Sequence, residues 1–138
     1  MALDIAKVEY YTVTVDGHAA EGFEMLSVFA GAGVDLLAFK AVPVDHNRTQ
    51  FSLFPDDSKK MTDGAKESGL ALEGPHPALI IKGDDDESGA LGRIYEKLAQ
   101  AGVTVYESSG IAHVWDRYGV VLYLTPEECE KALAALTR

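Results

Sequence analysis

A run of four acidic residues, Asp84–Glu87, stands directly before Ser88 and Gly89, where an amphipathic helix is predicted to begin. The amino end of a helix exposes unpaired N–H groups and a partial positive charge, which suits a carboxylate. Gly89 has no Cβ atom, so a ligand or a neighbouring backbone can approach it closely. The acidic side chains instead favour an ammonium group or a cation. Their alternative role is to stabilise the helix dipole and solubilise the turn.

The other reactive side chains form no catalytic or metal-binding pattern. The four histidines are not paired at ligand spacing, and the sequence has no His-Glu-x-x-His or Cys-x-x-Cys motif. The acidic run also lacks the alternating pattern of a calcium loop. The single cysteine, Cys129, lies on the apolar face of a predicted helix, which indicates a small buried residue. We therefore predict no catalytic residue, no metal site and no cofactor.

The elements that must position the acidic run occur twice in the chain. The stretch Ala30–Leu36 (AGAGVDL) recurs as Ala99–Val105 (AQAGVTV), and the offset of 69 positions is half of the 138 residues. A repeat at half the chain length suggests two copies of one supersecondary unit. Gly33 and Gly102 each follow a helical pattern and are predicted to close the last helical turn.

The first half of the chain predicts the order strand, helix, strand, strand, helix, strand. Aromatic and β-branched runs indicate the strands, and apolar residues at helical spacing indicate the helices. An aspartate or serine at 56–58 is predicted to cap the second helix. The predicted strands are Lys7–Val15, Leu36–Val44, Thr49–Phe54 and Leu70–Glu73, and the helices span Ala19–Ala32 and about 56–67. Gly74–Pro77 then reads as a short linker.

The second half repeats the order but lacks a fourth strand. Thr125, Pro126 and Glu128 have the types and spacing of a helix start. The apolar strand Ala78–Lys82 would be an open edge, so we expect a strand of the first half or of a second subunit to cover it. The predicted elements are strands Ala78–Lys82, Val103–Ser108 and Gly119–Leu124, a helix over Ser88–Ala101 whose buried stripe is Leu91, Ile94, Tyr95 and Leu98, and a last helix from Thr125.

Together these patterns predict an α+β fold, a tandem repeat of the ferredoxin-like βαββαβ unit. Each copy forms an antiparallel sheet with both helices on one face. The first module spans residues 1–74 and the second spans 78–138. The last strand of the second module is either missing or supplied by another segment.

The second half also resembles the ACT domain. Asp86–Leu91 is similar to that family's Asp-x-Pro-Gly-x-Leu signature, with Ser88 in place of proline. An amphipathic helix follows, and Gly102–Val105 is similar to the family's Gly-Ile-Asn-Ile entry into the next strand, with Thr104 in place of asparagine. The first half departs from the family at Asp16–Ala20, where no glycine aligns with Gly89.

The resemblance implies a non-catalytic regulatory protein that binds a small effector, of the amino-acid class, at a module or dimer interface. The implied homodimer would act on a separate regulated protein. The implied ligand-binding residues are those of the second module's first loop and of its counterpart in the first module: Asp86, Glu87, Ser88, Gly89, Ala90 and Leu91, with Asp16, Gly17, His18 and Ala19.

Charge and composition exclude several partner classes. A formal net charge of −10 argues against nucleic acid, which requires a basic face, and against anionic membranes. The sequence shows no signal peptide and no membrane-spanning run, so we expect a cytoplasmic protein. Two alternatives remain: an assembly protein with a decayed ligand site, and a ferredoxin-like hydrolase of the acylphosphatase type. The hydrolase is disfavoured because neither first loop carries the arginine that such chemistry needs.

Overall fold

The computed structural model describes residues 3–84, 89–114 and 117–137. Six strands form a sheet in the order β2-β3-β1-β4-β6-β5, and the pairs β1–β3, β2–β3, β4–β6 and β5–β6 are antiparallel. The α+β class is therefore confirmed. The elements are β1 (Leu3–Asp16), α1 (Phe23–Gly31), β2 (Leu36–Asp45), β3 (Arg48–Pro55), α2 (Ser58–Ser68), β4 (Glu73–Asp84), α3 (Ala90–Gln100), β5 (Glu107–Val114), β6 (Arg117–Tyr123) and α4 (Pro126–Leu136), with a short 3-10 helix (Ala19–Gly22) before α1.

Contacts divide the chain into two compact units. The first unit is Glu9–His76, and the second unit combines Met1–Val8 with Pro77–Arg138. The long strand β1 begins before the predicted Lys7, and its residues Leu3 and Ile5 pack against the core of the second unit. Strand β4 lies between β1 and β6, so Ala78–Lys82 is not an edge of the sheet.

In the first unit, both helices cover one face of the strands. Alternate residues of β1 and β3 point toward the helices because successive side chains of a strand face opposite sides. The buried core is formed by Tyr11, Val13, Phe51 and Leu53 from the strands and by Met25, Phe29, Met61 and Ala65 from the helices. Asp57 caps α2 by accepting a hydrogen bond from the Lys60 N–H at 3.2 Å, as predicted.

The second unit has the same construction. Strands β4 and β6 present Leu79, Ile81, Val120 and Leu122 to a core completed by α3 and α4; the helices contribute Ala90, Ile94, Leu98, Cys129, Ala132 and Leu136. The predicted burial of Cys129 is confirmed. Burial raises the pKa of this thiol, which keeps it in the unreactive protonated form at neutral pH.

Glycines end α1 and α3 as predicted. Gly33 has φ +82° and Gly102 has φ +69°, a left-handed conformation that glycine adopts without a steric penalty. The Val34 N–H donates to the Phe29 carbonyl and the Val103 N–H to the Leu98 carbonyl, both at 3.0 Å. These bonds turn the chain out of each helix.

The predicted linker Gly74–Pro77 is wrong, because it lies inside β4. Strand β6 pairs with β4 only from Ala78 onward, so the first residues of β4 have a sheet neighbour on one side alone. Residues two apart in a strand direct their backbone groups to the same side. Pro75 and Pro77 can therefore both lack an N–H without breaking the ladder, which is how proline is accommodated at a sheet edge.

The predicted strand Val103–Ser108 is also displaced, since β5 begins at Glu107. The Thr104 N–H donates to the Glu128 carboxylate of α4 at 2.8 Å, and the Lys131 ammonium donates to the Gly102 carbonyl at 2.9 Å. Thr125 caps α4 as predicted, accepting from the Glu128 N–H at 3.4 Å. The Glu128 carboxylate therefore accepts a hydrogen bond from the segment before β5, and not from an N–H group at the start of its own helix.

This contact predicts a pH dependence of stability. The hydrogen bond from Thr104, and then the nearby Lys131 ammonium, lower the pKa of Glu128 below its ordinary value of 4.5. A lowered pKa in the folded state stabilises the fold above the unfolded pKa, and this contribution is lost as the pH falls through the folded value. We expect Glu128→Gln to flatten the loss of stability below about pH 4.5. Urea unfolding between pH 6 and pH 3 measures this slope.

Glu127→Gln is the matched control, because Glu127 is exposed on the same turn of α4 and its loss removes the same charge. An unchanged acid slope in Glu128→Gln would contradict the assigned contact.

Candidate functional site

The amino end of α3 is the best predicted candidate site. Gly89 is the N-cap residue with φ +81°, and its carbonyl accepts a hydrogen bond from the Arg93 N–H at 3.0 Å. Ala90 is buried in the core, whereas Leu91 is 43% exposed. Asp86, Glu87 and Ser88 lie outside the described residues. Among the described residues of this loop, Leu91 is the side chain open to a ligand.

A pocket of about 190 Å³ lies beside the first two turns of α3. Leu91 and Tyr95 line it from the helix, Ser108–Ile111 from β5, and Tyr118–Val120 from β6. The Tyr95 hydroxyl donates to the Ser108 hydroxyl at 2.7 Å and so joins the helix to the strand. None of these nine described lining residues has a charged side chain.

Two glycines allow close packing beside this pocket. Gly110 lies opposite Val120 in the β5–β6 pairing, and a Cβ atom at Gly110 would stand 2.7 Å from the Gly119 carbonyl oxygen. On the neighbouring strand, the Tyr118 ring lies against Gly83, its partner in the β4–β6 ladder.

The sequence pattern missed most of this pocket. The prediction that Leu91 and Tyr95 belong to the buried stripe of α3 is wrong. Leu91 is 43% exposed and Tyr95 is 39% exposed, while Ile94 and Leu98 are buried. The four positions span a wider arc than the core covers, so two of them face the space above β5 and β6. One signal was available, because an isolated glycine such as Gly110 within a strand often marks a close approach of another group.

The counterpart loop in the first unit is closed by its own contacts. Asp16 ends β1 opposite Arg48, and Gly17, with φ +91°, donates its N–H to the Asn47 carbonyl. The Gly17 carbonyl accepts from the Thr49 hydroxyl at 2.8 Å. His18 and Ala19 follow at the start of the 3-10 helix rather than an α-helix.

A second pocket of about 230 Å³ has a charged lining that includes Asp4, Lys82, Asp84 and Arg117. The Arg117 guanidinium lies 3.8 Å from the Asp84 carboxylate, and both side chains are more than half exposed. Exposed pairs of this kind contribute little to stability or binding because water screens them. Within residues 3–84, 89–114 and 117–137, no cluster of three His, Cys, Asp or Glu side chains suits a metal ion.

Among the residues that the structure describes, no helix has both the length and the apolar composition needed to span a membrane. No protein-family model matches the sequence, and no curated protein shows significant similarity to it.

Solved structures match nearly the whole chain. Protein BT0572 from Bacteroides thetaiotaomicron is 18% identical with a TM-score of 0.78, covering 98% of this chain and 88% of that one. The alpha and beta subunits of aspartokinase are 14% identical with a TM-score of 0.62, covering 100% and 99%. The ligand-free regulatory subunit of aspartate kinase from Thermus thermophilus is 13% identical with a TM-score of 0.63, covering 99% and 97%. At these identities the likeness is one of fold.

Proposed function

We propose that this chain is a non-catalytic regulatory protein that binds a small effector of the amino-acid class beside the start of α3. The observation that carries the proposal is the uncharged pocket next to Leu91 and Tyr95, at the helix end that resembles the ACT ligand loop. The fold shared with an aspartate kinase regulatory subunit supports the same class of protein. In this proposal the chain regulates a separate protein.

We also propose that the chain is a tandem of two ACT-like modules, approximately 1–74 and 78–138. Each element of the first half has a counterpart about 69 positions later: β1 and β4, α1 and α3, β2 and β5, β3 and β6, α2 and α4. Leu53 and Leu122, at the same offset, are both 0% exposed. In this proposal the first residues of β1 serve as the fourth strand of the second module.

The second module carries the better site in this proposal. The first loop of the first module is occupied by its own hydrogen bonds through Gly17, and a Cβ there would overlap the Glu21 carboxylate. At α3, by contrast, Leu91 lines an open pocket two residues after the N-cap residue Gly89. We assign the effector's carboxylate to the helix end and its ammonium group to the acidic residues Asp86 and Glu87.

Calorimetric titration of the full chain with the twenty common amino acids tests the proposal. We expect at least one of them to bind with a dissociation constant below a millimolar level. A titration in which none of them binds would remove the regulatory function and leave the assembly role.

One observation favours that assembly role as a second candidate. Strand β2 ends the described sheet, and Leu37, Phe39, Val42 and Val44 on it are large, apolar and exposed. Edge strands with exposed apolar side chains pair readily with another chain. Pairing of β2 with β2 of a second copy would cover the open backbone edge and form a two-fold symmetric dimer, with these side chains beside the joint.

We expect Phe39→Lys to convert this dimer to monomer, because Phe39 is 63% exposed and a lysine there places charge on the pairing edge. Light scattering after size-exclusion chromatography measures the mass. Phe23→Lys, at an exposed apolar position outside β2, is the control and should stay dimeric. A wild-type chain that is monomeric at high micromolar concentration would exclude the dimer.

A further inference from the structure

We infer that the pocket beside α3 selects an amino acid with an aliphatic, uncharged side chain. This inference rests on the proposed function and names the effector more closely. It is drawn from the pocket lining alone, within the second unit.

The uncharged lining decides which class of effector side chain the pocket accepts. Leu91, Tyr95, Ile111 and Val120 provide apolar surface, and none of the nine described lining residues has a charged side chain that could neutralise a carboxylate or an ammonium group. Moving an unpaired charge out of water is strongly unfavourable. An aspartate or lysine side chain would therefore lose its hydration in this pocket without a compensating partner, whereas an aliphatic side chain gains from leaving water.

The size of the pocket restricts the effector further. Pockets for drug-sized ligands span about 300–1,000 Å³, and this one has about 190 Å³. A pocket of this size suits one amino acid better than a larger ligand. The strand backbone bounds it at Gly110, because a Cβ atom there would stand 2.7 Å from the Gly119 carbonyl oxygen.

The polar groups of the pocket suit the effector's backbone rather than its side chain. Ser108 accepts the Tyr95 hydroxyl proton, so Ser108 keeps its own proton to donate to an acceptor atom. Both hydroxyls lie at the wall formed by α3 and β5, in the second unit. They provide a directed polar contact beside the apolar surface of Leu91, Ile111 and Val120.

Competition calorimetry with leucine, isoleucine, valine, aspartate and lysine tests this inference on the full chain. We expect the best aliphatic amino acid to bind at least about tenfold more tightly than aspartate or lysine, because a charged side chain loses hydration in an uncharged pocket, where a single methylene already contributes about tenfold or more. We expect Leu91→Lys to weaken aliphatic binding by about tenfold or more. Ala99→Lys, exposed on the same helix away from the pocket, should bind within about twofold of wild type.

The outcomes separate this inference from the proposed function. Tighter binding of aspartate or lysine than of every aliphatic amino acid would overturn the inference and keep the regulatory role. Equal losses in Leu91→Lys and Ala99→Lys would place the ligand elsewhere and also overturn it. Absence of binding by any amino acid to the wild-type chain would overturn the proposed function and the inference together. Circular dichroism of each variant establishes that it is folded.

Discussion

Leu122→Ala is expected to lower the free energy of unfolding by about 2–5 kcal/mol, and Leu53→Ala by a similar amount. Both leucines are 0% exposed, and each lies in the core of one unit. Truncation removes buried methyl groups and leaves a cavity that close-packed neighbours fill only in part. The effect is among the largest that we expect from a single substitution in each core.

Urea unfolding followed by circular dichroism measures both variants. Ile111→Ala is the control, because Ile111 is 68% exposed and its truncation should change stability by less than about 0.5 kcal/mol. A loss below about 1 kcal/mol in Leu53→Ala or Leu122→Ala would show that the corresponding core is not packed as described.

Gly83→Ala is expected to destabilise the second unit by about 1–3 kcal/mol through overpacking. A Cβ atom at this position would overlap the Tyr118 ring, with the Cε1 atom 2.8 Å away. The ring is buried and lines the α3 pocket, so its displacement should also weaken effector binding. Thermal and urea unfolding measure the stability, and calorimetry with the bound amino acid measures the affinity.

A double-mutant cycle with Tyr118→Leu isolates the cause. The smaller side chain should relieve the overlap, which gives a coupling free energy of about 0.5–3 kcal/mol between the two sites. Gly92→Ala is the control, because nothing lies within 4 Å of its added Cβ. Alanine there should stabilise α3 by up to about 1 kcal/mol. Additive losses in the cycle would contradict the Gly83–Tyr118 contact.

The candidate site was predictable only in part. The helix start at Gly89 follows from a local pattern, and Leu91, two residues later, lines the pocket. Tyr95 was predicted to be buried because helical spacing alone does not reveal how wide an arc the sheet covers. Ser108 and Gly110 were missed because they reach α3 only through the pairing of β5 with β6.

The sequence by itself determined the α+β class and the helix ends. Asp57 and Thr125 cap helices, and Gly33 and Gly102 end them, because these interactions involve residues only a few positions apart. Only the tertiary structure decided strand partners and exposure. Leu3 and Ile5 join a core built mostly from residues beyond position 77, and Pro75 and Pro77 lie within a strand. Those outcomes depend on contacts between distant parts of the chain, which local propensity and periodicity do not encode.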